Sequence, residues 1–317
     1  MTAKFKHQIA IIVLNWKQAK LTIQTINSLL KIKHPSFSYQ IILVDNASQD
    51  SSQKEFLKFK KKLKPTQSKR LQFLFLNKNY GYVGGNNTGI KLALKQNFDH
   101  ILVINNDVLV KANFLEQLLQ ASLKHPKWGI LGPKIYFAPG YEFHKHRYKK
   151  SEIGRVIWSV GGQMDWANLL GSNKGVDQVD KGQFDKVSTK IDFISGCALL
   201  IKKEVFQKIG LFDSKYFMYL EDVDFCQRAK KAGYQLAYIH SSTIWHLNAQ
   251  SSGSGGDLHH YFITRNRLLF GFRYASLRTK LALFRQSIHY LFKSKYKWQK
   301  KGVIDFYLGR WEKGSWT

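Results

Sequence analysis

Cysteine is nearly missing from this chain. Only Cys197 and Cys226 occur among 317 residues, and they do not form a CxxC pair. That excludes a disulfide framework and a cysteine metal site, and it fits a reducing compartment. No clean apolar span of about 20 residues is present, so no membrane-crossing helix is expected. The apolar run Ile9 to Leu14 is soon interrupted by Asn15 and is too short for a signal peptide; the expected location is the cytosol. No fixed-period repeat appears, and no helix-turn-helix, zinc-finger or RNA-recognition signature. Acidic residues are scarce: 21 Asp+Glu stand against 50 Lys+Arg, a formal charge of +29. Such a field favours anionic partners, whether nucleic acid, nucleotide diphosphates or an anionic membrane, although scattered residues such as Lys60, Lys61 and Lys62 serve solvation.

What is present is enough apolar material for a substantial core, 44% hydrophobic and 14% aromatic, which excludes a disordered chain. The first part alternates two periods. Ile9 to Leu14, Ile41 to Val44, Leu71 to Leu76 and Ile101 to Ile104 are short continuous apolar runs, the pattern of strands buried on both faces. Between them Leu21, Thr25, Ser28 and Leu29, then Phe56, Phe59 and Leu63, then Ile90, Ala93 and Leu94 recur at helical spacing. Strand, helix, strand in succession predicts right-handed crossovers and a doubly wound α/β sheet.

In such sheets ligands bind beyond the carboxyl ends of the strands. Here those ends are polar: Asn15, Asp45-Asn46, Asn77-Lys78-Asn79 and Asn105-Asn106-Asp107. One such end could be a helix cap, but four in succession favour a shared cleft. From Ala138 to Lys190 the alternation breaks into a stretch rich in Gly, Lys and aromatics, predicted to be an insertion of hairpins or loops. Strand character returns over Ile191 to Ile201, a helix is predicted from Val223 to Ala232, and a short strand from Gln235 to Ile239. From Leu277 the residues Leu277, Leu281, Phe284, Ile288 and Leu291 recur at helical spacing beside Arg278, Lys280, Arg285 and Lys293. That basic amphipathic helix suits either an anionic membrane interface or packing on the domain, and the pattern leaves both open.

The motifs together resemble a known family. Ile11-Ile12-Val13-Leu14-Asn15, Val44-Asp45-Asn46-Ala47-Ser48, Asn77-Lys78-Asn79-Tyr80-Gly81, Gly84-Gly85-Asn86-Asn87-Thr88-Gly89, Asn105-Asn106-Asp107, Asp192-Phe193-Ile194-Ser195-Gly196, Glu221-Asp222-Val223-Asp224 and Trp245-His246 follow one another in its order. The chain resembles the family 2 inverting glycosyltransferases of GT-A fold, and among them the bacterial rhamnosyltransferase-like branch that builds cell-surface polysaccharides. The resemblance runs from about Ile9 to Phe270. It implies a GT-A-type doubly wound, mostly parallel α/β sheet. Residues 1–110 would form a Rossmann-like nucleotide-sugar half and residues 111–275 an acceptor and catalytic half with the insertion 138–190. A basic amphipathic helical extension, 276–317, would follow.

The resemblance also assigns roles. Asp45 matches the position that accepts from the nucleotide base, and Asn15, Asn46, Asn77, Gly81, Asn86, Asn105, Asn106 and Arg265 join it on the donor side. Asp107 and His246 match the ligands of a divalent cation, Mn²⁺ or Mg²⁺, although Asn105 stands where the family motif is usually acidic. Asp222 matches the catalytic base, unless it only caps the helix that follows, and Glu221, Ser195 and Gly196 would face the acceptor. The implied reaction is metal-dependent transfer from dTDP-rhamnose to a lipid-linked glycan or polysaccharide, at the inner face of the cytoplasmic membrane. UDP-hexose and UDP-galactofuranose are the alternative donors. A basic nucleic-acid-binding protein, the contrasting class, leaves Asp107, Asp222 and His246 without a purpose, so no nucleic acid is expected as partner. A sugar nucleotidyltransferase is also disfavoured, because no Gly-rich basic signature follows the first strand.

Overall fold

The computed structural model describes residues 6–247 and 255–317. The apolar runs become β1 (His7–Asn15), β2 (Phe37–Asp45), β3 (Leu71–Phe75) and β4 (His100–Ile104), joined through α1 (Ala19–Leu29), α2 (Ser52–Lys61), the single turn α3 (Pro65–Ser68) and α4 (Gly81–Lys95). These strands lie side by side in the order β3-β2-β1-β4, all parallel. Side chains alternate across the sheet: Ile9, Ile11 and Val13 enter one core with α1 and α2, while Ala10 and Ile12 enter the other with α4. Both faces are covered, which explains why the runs are continuously apolar.

The second half begins with three elements that the sequence patterns did not single out: β5 (Val108–Val110), α5 (Phe114–Lys124) and β6 (Trp128–Phe137). The insertion carries β7 (Ile157–Ser159), paired with β6, and a hairpin of β8 (Gly162–Asp165) and β9 (Leu170–Asn173). Then come β10 (Ala198–Lys202), α6 (Lys203–Ile209), α7 (Glu221–Lys231) and β11 (Gln235–His246). The sheet continues from β4 as β10-β6-β11-β5, with β10 antiparallel to both its neighbours, β11 parallel to β6, and β5 antiparallel to β11.

Two expected boundaries move. The strand expected over Ile191 to Ile201 forms only from Ala198, because Asp192 and Phe193 exchange backbone hydrogen bonds with Gly162 and residues 194–197 turn toward α7. The strand expected to stop at Ile239 continues to His246, because a bulge between Ile239 and Thr243 resets its register on β6. Trp245-His246 therefore ends the same strand.

The chain closes with α8 (Asp257–Tyr274), α9 (Leu277–Lys293) and α10 (Lys297–Tyr307). Helix α8 is the link to the rest. Arg265, fully buried, donates to the carbonyls of Lys215 (3.1 Å), Tyr216 (3.2 Å), Arg310 (3.3 Å) and Glu312 (2.9 Å), and its Nε donates to Asn266 Oδ1 (3.1 Å). Every guanidinium nitrogen is taken, so the expected phosphate contact is corrected: Arg265 joins the C-terminal turn to the segment before α7. Arg265→Ala strands these carbonyls, and urea unfolding should report a loss of about 3 kcal/mol or more. Nucleotide affinity of the folded variant should stay unchanged; a phosphate-binding arginine would give the opposite result.

Candidate active site

The carboxyl ends of β1 and β2 are polar for a reason that lies partly in the fold. Parallel register sets Asn15 beside Asp45, and both are fully buried. The Asn15 amide donates to Asp45 Oδ1 (2.7 Å) and Ser48 Oγ (3.0 Å) and accepts from Thr22 Oγ1 (2.7 Å). Asp45 also accepts from the Ser48 hydroxyl, from Ser48 N–H (3.3 Å) and from Gln53 Nε2 (3.3 Å). Buried polar groups must be paired, and these two pair with each other's surroundings. In the structure these side chains knit β1, β2 and α1 together.

Asn46 is likewise committed. It donates to Asn79 Oδ1 (2.8 Å) and to the Gly81 carbonyl (3.0 Å), and it accepts from Tyr80 N–H (3.0 Å), which shapes the entry to α4. Gly81 has φ +72°, and a Cβ there would stand 2.5 Å from the Phe217 ring, so only glycine fits. One turn on, Asn86 donates to the Tyr82 carbonyl (2.9 Å) while its buried Oδ1 has no partner. Asn106 donates to Thr22 Oγ1 (2.9 Å) and its carbonyl accepts from Thr25 (2.8 Å), so it fastens the loop after β4 to α1. Asn77, exposed, and Asn105, half-buried, remain the accessible donor-side candidates.

Asp107 follows β4 and His246 ends β11, and the pairing of β5 with β11 brings them together across 139 residues. Asp107 Oδ1 and His246 Nε2 are 3.1 Å apart; both side chains are buried. His246 Nδ1 is also buried and has no partner, and the Trp158 ring stands edge-on to the imidazole at 4.8 Å. One hard oxygen and one imidazole nitrogen at this spacing suit Mn²⁺ or Mg²⁺. Among the described residues no group of three or more His, Cys, Asp or Glu is placed so that it could hold a metal ion. Two protein ligands fit an ion that completes its shell with water and phosphate oxygens.

The opposite wall is α7, reached through a turn in which Phe217 (φ +61°), Tyr219 (φ +69°) and Leu220 (φ +68°) adopt left-handed backbone. Each such residue costs on the order of 1–3 kcal/mol unless the surroundings enforce it. Asn266 on α8 does so, donating to the carbonyls of Tyr216 (2.9 Å), Met218 (2.7 Å) and Tyr219 (3.0 Å). Asp222 then lies in the first turn of α7 and is not its cap, since Leu220 occupies that position. Its Oδ2 accepts from Gly196 N–H (2.7 Å) and its Oδ1 from Val223 N–H (2.8 Å). Burial raises the Asp222 pKa, and these donors oppose the rise. Ser195, half-buried, sits on the same loop as Gly196.

Glu221 is buried, its Oε2 has no partner, and desolvation followed by the neighbouring Asp222 charge holds its pKa well above the usual value. Asp224 is excluded from acid–base work: fully buried, it is paired with Arg228 (2.8 Å) and Arg273 (3.0 Å) and accepts from Tyr216 and Tyr274 hydroxyls. Tyr82 is the residue that the motif reading passed over. Its hydroxyl donates to the Gly196 carbonyl (2.8 Å), and its pKa is raised by burial and then by the charges of Glu221, Asp222 and Asp107. A large aromatic within a glycine-rich turn was the available signal. The raised Glu221 pKa makes a stability prediction. A carboxyl that keeps its proton longer in the folded state loses stability as pH climbs from its unfolded value toward the folded one. Glu221→Gln removes that loss, so its melting temperature relative to the parent should rise as pH climbs above the ordinary carboxylate range. A pH-independent difference would refute the assignment.

Comparison with known proteins places the chain in a family and a fold. Residues 7–271 match the family described as glycosyltransferase like family 2. An N-acetylglucosaminyl-diphospho-decaprenol L-rhamnosyltransferase of Mycobacterium tuberculosis is 31% identical over 155 residues, 49% of either chain. The rhamnosyltransferase WbbL of Escherichia coli K12 is 26% identical over 167 residues, 50% of this chain and 58% of the relative. The chain thus spans about half the length of the curated relatives that it matches. Among solved structures, GalNAc-T7 with UDP, GalNAc and Mn²⁺ superposes with a TM-score of 0.67 at 17% identity, over 95% of this chain and 54% of that one. The chain belongs to the family 2 glycosyltransferases, has the GT-A fold, and is similar to rhamnosyltransferases over about half its length.

Proposed function

We propose that the chain is a metal-dependent, inverting transferase that moves a sugar, rhamnose from dTDP-rhamnose as the leading case, to a lipid-linked or polysaccharide acceptor. The sugar and acceptor are supported by the names of the relatives. The mechanism is supported chiefly by one observation: the loop that carries Gly196 and Cys197 meets both acid motifs, Gly196 N–H donating to Asp222 (2.7 Å) and the Cys197 carbonyl accepting from Asn105 N–H (3.0 Å) at the Asn105-Asn106-Asp107 strand end.

In this reading Asp222 takes the proton of the acceptor hydroxyl as that oxygen bonds to the anomeric carbon. The carbon–oxygen bond to the diphosphate breaks, the nucleotide keeps the electron pair, and one displacement inverts the centre. Gly196 N–H and Val223 N–H aim the carboxylate and favour its charged form. Glu221, Ser195 and Gly196 border the acceptor, and Asn77 and Asn105 the donor. Asp107 and His246 would hold Mn²⁺ or Mg²⁺, which when bound neutralises charge on the departing diphosphate. The reaction would take place at the inner face of the cytoplasmic membrane, where lipid-linked acceptors are presented.

Asp222→Asn keeps shape and hydrogen bonding to one side but cannot take the proton. Turnover should fall by roughly 10²–10⁴-fold with donor affinity nearly unchanged; a small loss would place the base elsewhere. In calorimetry with nucleoside diphosphate, Asp107→Ala and His246→Ala should each abolish the increment in affinity that Mn²⁺ gives the parent protein. Retention of that increment by both variants would remove the pair from the metal site. Screening dTDP- and UDP-sugars by donor hydrolysis decides between the donors.

A further inference from the structure

Helix α9 has a face of small residues around Leu283 and a face of large apolar residues, and it is the first that is packed. Thr279, Leu283 and Ser287 are buried: Leu283 lies on Gly271 of α8, where a Cβ would stand 2.2 Å from its methyl, and the Ser287 hydroxyl is 2.7 Å from the Tyr307 hydroxyl of α10. Leu277, Leu281, Phe284, Ile288 and Phe292 are not buried; their exposures run from 41% to 78%. At 3.6 residues per turn these five positions fall within about 80° of one another, on the side away from the buried triad. Single exposed leucines are ordinary, but a continuous apolar stripe on one helix marks an interaction surface.

The charges beside the stripe indicate what covers it. Arg278 and Arg285 border it on one side and Lys280 on the other. Residues 276–317 contain ten Lys+Arg and two acidic residues, and one of the two, Asp305, is buried. A protein partner of ordinary composition would leave this ring of cations only partly matched. We propose that the outer face of α9 docks on an anionic lipid leaflet, with the helix in the interface plane, its apolar stripe among the acyl chains and its basic flanks on lipid phosphates. This deepens the membrane location proposed above, yet it rests on the helix surface and not on the identity of donor or acceptor. Among the described residues no helix is long and apolar enough to cross a membrane, and α9 does not need to be.

Sedimentation of the full chain with phosphatidylcholine vesicles, with and without phosphatidylglycerol, tests the proposal. Binding should require the anionic lipid and weaken as salt rises. Leu281→Ser/Phe284→Ser/Ile288→Ser and Arg278→Glu/Arg285→Glu should each weaken it by at least about tenfold. Neither variant should change the melting temperature or the transfer to a water-soluble acceptor, since these side chains lie on an exposed face. Failure of the donor assignment would therefore leave the vesicle result intact. Equal vesicle binding by parent and variants, or no binding to anionic vesicles at low salt, would overturn the proposal. So would a parent protein that is dimeric while the serine variant is monomeric and neither binds vesicles, which would assign the face to a second copy of the chain.

Discussion

The hydrogen bond from Gly196 N–H to Asp222 Oδ2 ties together three stretches far apart in sequence. Gly196 is in the loop before β10, Asp222 is in the first turn of α7, and the Gly196 carbonyl receives the Tyr82 hydroxyl from α4. A Cβ at residue 196 would stand 3.1 Å from the Tyr82 oxygen and 3.4 Å from Asp222 Oδ2, so this junction closes best around a glycine. Lengthening it would release the carboxylate, the acceptor-side loop and the glycine-rich turn at once.

The same junction is held from behind by α8. The left-handed turn at Phe217, Tyr219 and Leu220 is unfavourable by itself, and it persists because Asn266 and Arg265 satisfy its carbonyls from a helix that also anchors the C-terminal turn. Strain placed beside acids is useful there, since it fixes Glu221 and Asp222 before any ligand arrives. It also makes the C-terminal helices part of the site's framework. The surface of α9 thus belongs to a unit that braces the turn ahead of α7, and a protein docked through α9 would present its acceptor side in a fixed relation to the bilayer.

Charge is distributed in two layers. The net +29 of the chain draws in anionic donors from a distance. Around the Tyr82 hydroxyl, whose pKa is raised first by burial, the charges of Glu221, Asp222 and Asp107 are of the opposite sign. A diphosphate cannot settle beside three acids without compensation. Burial, followed by the Asp222 charge, favours the uncharged form of Glu221, and a divalent cation at Asp107 and His246 would offset the charges of Asp107 and Asp222.

The sequence by itself pointed to the sheet class, because short continuous apolar runs separated by helical periods suit strands buried on both faces of a parallel sheet. It also determined that Asp107, His246 and Glu221-Asp222 belong to one motif set, through their order and through the resemblance that this order carries. It did not separate polar residues that face a cleft from polar residues that satisfy each other. Asn15, Asp45, Asn46 and Asn106 look alike at strand ends, and only parallel register and the position of α1 turned their side chains on Ser48, Thr22 and Asn79. Arg265 had the same ambiguity, resolved by four carbonyls from distant turns. Nor could periodicity assign the faces of α9. A helix with apolar residues on one side and small residues on another will pack whichever side its neighbours fit, and close approach to Gly271 selected the face of Thr279, Leu283 and Ser287, leaving the leucine and phenylalanine stripe outside.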